Sequence, residues 1–258
     1  MCTVSWLRQA DGYLLLCNRD ERNTRQPAAG PRIGALGGIS FIAPVDGDHG
    51  GSWIGVNQFG LTLCLLNRYG DWTPQPDQDY TSRGLLLMDL LDCSSREEVQ
   101  RRISRRQLER FQPFTLAVVT VEESAMLDWT GREHIIQTEA DVLVPLVSSS
   151  LKEPKIARTR KELFSQMVSE AGQVDAQLLG EFHRSHFPEP GPLSVCMHRP
   201  DAMTVSLCAV HVKRDTIEFA YYPDSPCLQA MGEKVEMRRK KFDEMQFCRP
   251  LTRSAVES

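Results

Sequence analysis

Three stretches of this chain, Leu14-Leu15-Leu16, residues 61–66 (broken only by Thr62) and residues 116–119, carry apolar side chains on both faces. Successive residues of a strand point to opposite faces, so strands of this kind need cover on both sides. The elements around them come in pairs. A hairpin at the N-terminus and a second hairpin over residues 52–66 are followed by two helices, over residues 85–91 and from Ser95 to about Leu108. Three strands (114–121, 125–129 and 134–138) and a short apolar strand (142–147) come next. A second helix pair (157–170 and 175–185) precedes a last hairpin (203–212 and 216–222). This is not the strand–helix–strand alternation of a parallel sheet. Two packed antiparallel sheets with a helix pair outside each satisfy all of it, which is an α+β architecture.

Local signals set the boundaries. Ser95-x-x-Glu98 is a capping box that opens the second helix. Asn57-Gln58-Phe59-Gly60 turns the second hairpin. Residues 26–31 read as a Pro/Gly/Ala-rich connector, residues 35–43 as one short strand, and the charged segment from Gly232 as a helix candidate. Asp11-Gly12 between apolar runs predicts a two-residue type I′ loop. Facing residue numbers then sum to about 23, so that Cys2 lies opposite Glu21 and Cys17 opposite Trp6. The chain reads as a single domain over residues 1–248 with a tail at 249–258.

The net charge of −4 excludes a broad phosphate-binding surface, and no nucleic-acid partner is expected. No apolar stretch approaches the ~20 residues of a membrane span. The N-terminus lacks a secretion signal, which places the protein in a reducing compartment, the cytoplasm. Of eight cysteines none forms Cys-x-x-Cys, no Cys/His spacing matches a zinc site, and no metal is expected. His183-x-x-His186 reads as two surface histidines.

Met1-Cys2, Asn18-Arg19-Asp20-Glu21 and Gly50-Gly51-Ser52-Trp53-Ile54-Gly55, followed by a strand ending in Asn67, resemble the NRDE family, the Transport and Golgi organisation protein 2-like proteins. That family in turn resembles N-terminal-nucleophile hydrolases of the bile salt hydrolase and penicillin V acylase type, whose Gly-Leu-x-x-x-x-Leu-Asn run matches residues 60–67. The resemblance implies a four-layer αββα sandwich. It also implies a mechanism. Removal of Met1 would give Cys2 both a thiol nucleophile and an α-amino base. Arg19 would lower the thiol pKa, Asp20 would orient the ammonium group, and Asn67 would donate to the oxyanion. Asn18, Glu21 and Trp53 are expected to contact substrate. The contiguous Arg19-Asp20-Glu21 departs from the Arg-x-x-Asp of bile salt hydrolases. Their second oxyanion asparagine falls near Ser148-Ser149, and their distal arginine has only Arg199 or Arg214 as candidates.

Three readings follow. The first is a cysteine amidohydrolase or acyltransferase acting on a small linear amide, without a cofactor. The second is a non-catalytic haem or lipid carrier on the same scaffold. The third is an interaction protein with no small-molecule site.

Overall fold

The computed structural model describes residues 2–70, 72–76, 78–150, 153–229 and 231–241. Met1, Cys248 and the expected 249–258 tail lie outside them. The described chain opens with strands β1 (Cys2–Gln9), β2 (Gly12–Arg22), β3 (Ala29–Leu36), β4 (Ile39–Val45), β5 (Ile54–Asn57) and β6 (Thr62–Asn67). Helices α1 (Arg83–Leu90) and α2 (Arg96–Ser104) come next, then β7 (Phe114–Val119), β8 (Ser124–Trp129), β9 (His134–Thr138) and β10 (Leu146–Ser148). Helices α3 (Glu153–Ala171) and α4 (Ala176–Arg184) precede β11 (Ala202–Val212), β12 (Thr216–Pro223) and β13 (Glu233–Arg238).

The strands form two antiparallel sheets, ordered β10-β1-β2-β11-β12-β13 and β3-β4-β5-β6-β7-β8-β9. Their inner faces meet over Val4, Tyr13, Leu15, Cys17, Cys64 and Leu66. On the far side of the seven-stranded sheet, Leu61, Leu63 and Leu65 pack on Leu86, Leu87 and Leu90 of α1. On the far side of the six-stranded sheet, Leu16 and Leu207 pack on Leu179 of α4 and Phe164 of α3. The result is the four-layer αββα sandwich, with the uniformly apolar strands in its two middle layers. Each fully buried leucine in them contributes about 1.5–3 kcal/mol. Among the described residues no helix is long and apolar enough to cross a membrane.

The first hairpin differs from its expected register. Cys2 pairs with Arg19, Val4 with Cys17 and Gln9 with Gly12, so the loop is Ala10-Asp11. Neither Asp11 nor Gly12 has positive φ. Gly12 is instead the first residue of β2, where a Cβ would come within 1.9 Å of the Val212 carbonyl oxygen on β11. Its role is close backbone approach, not turn geometry. Because the slip is two residues, every side chain keeps its face.

Three other expectations are corrected. Residues 35–43 are not one strand: Gly37 and Gly38, both with positive φ, turn the chain between β3 and β4, and β3 absorbs part of the connector. Residues 142–147 contain the end of a single 3-10 turn (Ala140–Leu143) and only the start of β10. The segment after Gly232 is a strand, not a helix, because Val235 and Met237 alternate with charged residues and reach the inter-sheet core. Ser95 caps α2 as expected, accepting from Glu98 N at 3.2 Å, but the Glu98 carboxylate turns back to Ser94 rather than Ser95.

Tyr13 fastens the sheets together. Its fully buried hydroxyl lies 2.6 Å from Thr62 Oγ1 and 3.1 Å from the Val119 carbonyl on the opposite sheet, and 2.9 Å from the Gly60 carbonyl in the turn that leads into β6. Tyr13→Phe keeps the ring and strands those acceptors, so a loss of about 1–3 kcal/mol is expected. Urea titration checks it, and an unchanged midpoint would remove Tyr13 from this role.

Candidate active site

The C-terminal end of β2 lies beside the N-terminal residue of β1. Across from them the seven-stranded sheet presents Trp53, just before β5, and Asn67, the last residue of β6. Between the two sheets is a cleft of about 340 Å³. Cys2, Arg19, Glu21, Trp53 and Asn67 line it, with Asp46, Arg83 and the backbone at Gly51 and Gly84. Gly51 is required by contact: a Cβ there would lie 2.5 Å from the Gly84 carbonyl carbon at the start of α1. The cleft wall is thus backbone against backbone.

Arg19 is the most constrained charge in the site. Its side chain is 4% exposed, with its guanidinium 2.5 Å from Asp46 and 3.5 Å from Glu21. It stacks 4.2 Å from the centroid of the Trp53 ring. Arg25 extends the ion-pair chain, 2.6 Å from Asp46 and also paired with Asp48.

The Cys2 thiol is 5% exposed and held above the ordinary thiol range. The hydrogen-bonded thiol of Cys17 is the main cause, followed by burial, with a smaller contribution from the Asp20 charge. Arg19 is not among the leading causes of this shift, and its guanidinium is paired with two carboxylates. Cys17 Sγ lies 3.6 Å from Cys64 Sγ, and Cys208 pairs with Cys17 in register. Cys2 thus ends a row of buried thiols and is the member that reaches the cleft.

Asn18 and Asp20 point through the sheet to the helix layer. Asn18 donates to the carbonyls of His183 (2.9 Å) and Val195 (3.1 Å), and its Oδ1 is 2.9 Å from His183 Nδ1. It joins β2 to α4 and does not line the cleft. His183 is fully buried, not a surface residue, with Nε2 2.8 Å from Ser5 Oγ. Burial, with help from Arg160 and Arg184, pushes its pKa down to about 3, so the ring is neutral. Asp20 sits behind the Cys2–Arg19 pair, 1% exposed. It accepts from Thr204 Oγ1 at 2.7 Å and ion-pairs with Arg160 at 3.4 Å. Arg160, on α3, also donates to Thr3 Oγ1 at 2.5 Å. Neither candidate for a distal arginine lines the cleft: Arg199 pairs with Asp201 at 2.5 Å, and Arg214 is exposed in the β11–β12 turn.

Ser148 adjoins Cys2 and Arg83 lines the cleft, although the sequence assigned neither of them a role. Ser148 of β10 pairs directly with Cys2, so its side chain shares the Cys2 face. It is 3% exposed, and its hydroxyl has no hydrogen-bond partner among the described residues. Arg83, at the start of α1, donates to the Pro113 carbonyl at 2.8 Å and has no ion-pair partner among the described residues. Burial lowers its pKa. Ser148 was legible only as the place where a family asparagine is lacking, and Arg83 carried no signal. Asn67 Nδ2 currently donates to the Tyr69 hydroxyl at 3.2 Å.

The fold matches solved N-terminal-nucleophile hydrolases. The C2A mutant of the conjugated bile acid hydrolase from Clostridium perfringens aligns with a TM-score of 0.56 at 10% identity, covering 92% of each chain. The Caenorhabditis elegans ortholog of N-acylethanolamine-hydrolyzing acid amidase aligns with a TM-score of 0.56 at 14% identity, over 81% of this chain and 92% of its own. An arginine-to-leucine variant of the bile acid hydrolase gives 0.54 at 11% identity, over 93% and 98%. At these identities the likeness is one of fold. No curated protein sequence matches significantly. The model of the Transport and Golgi organisation 2 family matches residues 1–214, and the chain belongs to that family.

Proposed function

We propose that this protein is an N-terminal cysteine amidohydrolase acting on a small linear amide. The observation that carries the reading is the position of Cys2: at the chain's N-terminal strand end, beside Arg19, facing a cleft that Asn67 also lines. After removal of Met1, the Cys2 thiol passes its proton to its own α-amine as sulfur attacks the carbonyl. Asn67 Nδ2 and Ser148 Oγ supply hydrogen bonds to the oxyanion. The ammonium returns the proton to the leaving amine, and water then hydrolyses the thioester. Arg83 favours an amide with a carboxylate on one side of the scissile bond. An acyltransferase follows the same path with an amine in place of water.

A panel of linear amides, with and without a terminal carboxylate, tests this reading. Release of amine from acidic members, with neutral ones turned over more slowly, is the expected result. Ser148→Ala is expected to lower kcat by about 10²-fold with little change in KM. The same change is expected to leave stability level or raised, because it removes an unsatisfied buried hydroxyl. Equal kcat in the variant would exclude Ser148 from oxyanion binding. A haem or lipid carrier predicts no turnover in any of these assays, with saturable ligand binding instead.

A further inference from the structure

On the helix side of the six-stranded sheet, well separated in sequence from the cleft residues, four side chains converge from three segments. His186 follows α4, Cys196 and His198 lie in the loop before β11, and Cys227 lies in the turn after β12. Their ligand atoms all lie within 4.8 Å of one another. His186 Nε2 and His198 Nε2 are 3.2 Å apart. Cys196 Sγ is 3.5 Å, and Cys227 Sγ 3.6 Å, from His198 Nε2.

These separations match a metal coordination polyhedron. Zinc bonds of about 2.0–2.1 Å to nitrogen and about 2.3 Å to sulfur, at tetrahedral angles, put two nitrogens about 3.3 Å apart and nitrogen and sulfur about 3.6 Å apart. All three measured distances agree within about 0.2 Å of those values. We propose that His186, Cys196, His198 and Cys227 form a structural Cys₂His₂ zinc site. Four protein ligands leave no open position, so the site is closed to substrate. Two thiolates balance the 2+ ion, and softer sulfur with imidazole selects zinc over magnesium or calcium.

The surroundings give the site a task. The loop bearing Cys196 and His198 supplies the Val195 carbonyl that holds Asn18. Thr204, which holds Asp20, accepts from Ser225 Oγ at its carbonyl (2.7 Å), two residues from Cys227. Zinc at this point ties both loops together behind Asp20 and Arg160. Without it, two thiols and two imidazoles are left to satisfy one another through weak hydrogen bonds. The ligand spacing, with nine residues between His186 and Cys196 and 28 between His198 and Cys227, fits no short zinc motif.

The test uses the full chain purified without a metal-binding tag. Elemental analysis is expected to find one zinc per chain, and replacement by Co(II) to give intense visible bands with thiolate charge transfer. Cys227→Ser and His186→Gln are expected to weaken zinc binding by at least about 100-fold, whereas Cys93→Ser, a buried thiol elsewhere, keeps the metal. Chelation is expected to lower Tm in wild type and not in Cys227→Ser. If either ligand variant fails to fold, the Co(II) spectrum of the wild type decides. Absence of zinc together with an octahedral or missing Co(II) spectrum would overturn the proposal. Full retention of zinc in folded Cys227→Ser would do the same.

Discussion

Cys2→Ala is expected to reduce amide turnover by at least about 10³-fold, a loss of about 4 kcal/mol of transition-state stabilisation. The thiol is the group this reading assigns to form the acyl bond, and alanine leaves the amine without a nucleophile to serve. Cys2 is buried rather than exposed, so the change also removes some packing, at about 1 kcal/mol. Stability and turnover must therefore be measured on the same preparation. Cys2→Ser retains the amine and the shape but offers a poorer nucleophile, and its rate is expected to fall between the two. Steady-state kinetics with far-UV circular dichroism separates these outcomes. Turnover in folded Cys2→Ala equal to that of wild type would end the hydrolase reading, whatever the behaviour of the other residues.

Arg160→Met is expected to be the most destabilising single substitution near the site. Arg160 and Asp20 are each about 1% exposed and paired at 3.4 Å. Removing the guanidinium takes away a buried positive charge that faces the Asp20 carboxylate, at a cost of about 3–5 kcal/mol. For a chain of this size that corresponds to a Tm lower by roughly 10 °C. Replacing both charges, with Asp20→Asn added to Arg160→Met, is expected to recover most of the loss, because a neutral amide does not need the guanidinium beside it. Differential scanning calorimetry on the four members of the cycle measures the coupling. Additive losses would show that the pair does not act as a unit. The cycle also bears on function: Asp20 lies directly behind Cys2, so a pair that holds this carboxylate fixed also steadies the nucleophile's strand.

The layered fold was legible because the runs at 14–16, 61–66 and 116–119 left no arrangement other than strands covered twice. The membership of the cleft was legible for Cys2, Arg19, Glu21, Trp53 and Asn67, because strand parity survives a two-residue slip in register. Parity also explains Asn18 and Asp20. They alternate with Arg19 along β2 and therefore face the helices, which a tetrapeptide read as one unit conceals. Arg160 was not legible, since a basic residue in a charged helix carries no mark of burial. Nor was the partner of Cys2 in β10, because which edge strand pairs with β1 is a long-range choice. The misplaced hairpin turn has the same origin: Gly12 answers to the backbone of β11, some two hundred residues away, and a local turn rule does not register that neighbour.

The most direct test of the account is intact-mass analysis of the purified protein before and after exposure to an activated acyl donor, followed by peptide mapping. The expected result is a chain lacking Met1, with Cys2 at its N-terminus, that gains a single acyl group on the Cys2 sulfur and loses it on standing in water. A soluble, folded chain that keeps Met1, or that takes up the acyl group elsewhere while Cys2 stays free, would contradict it.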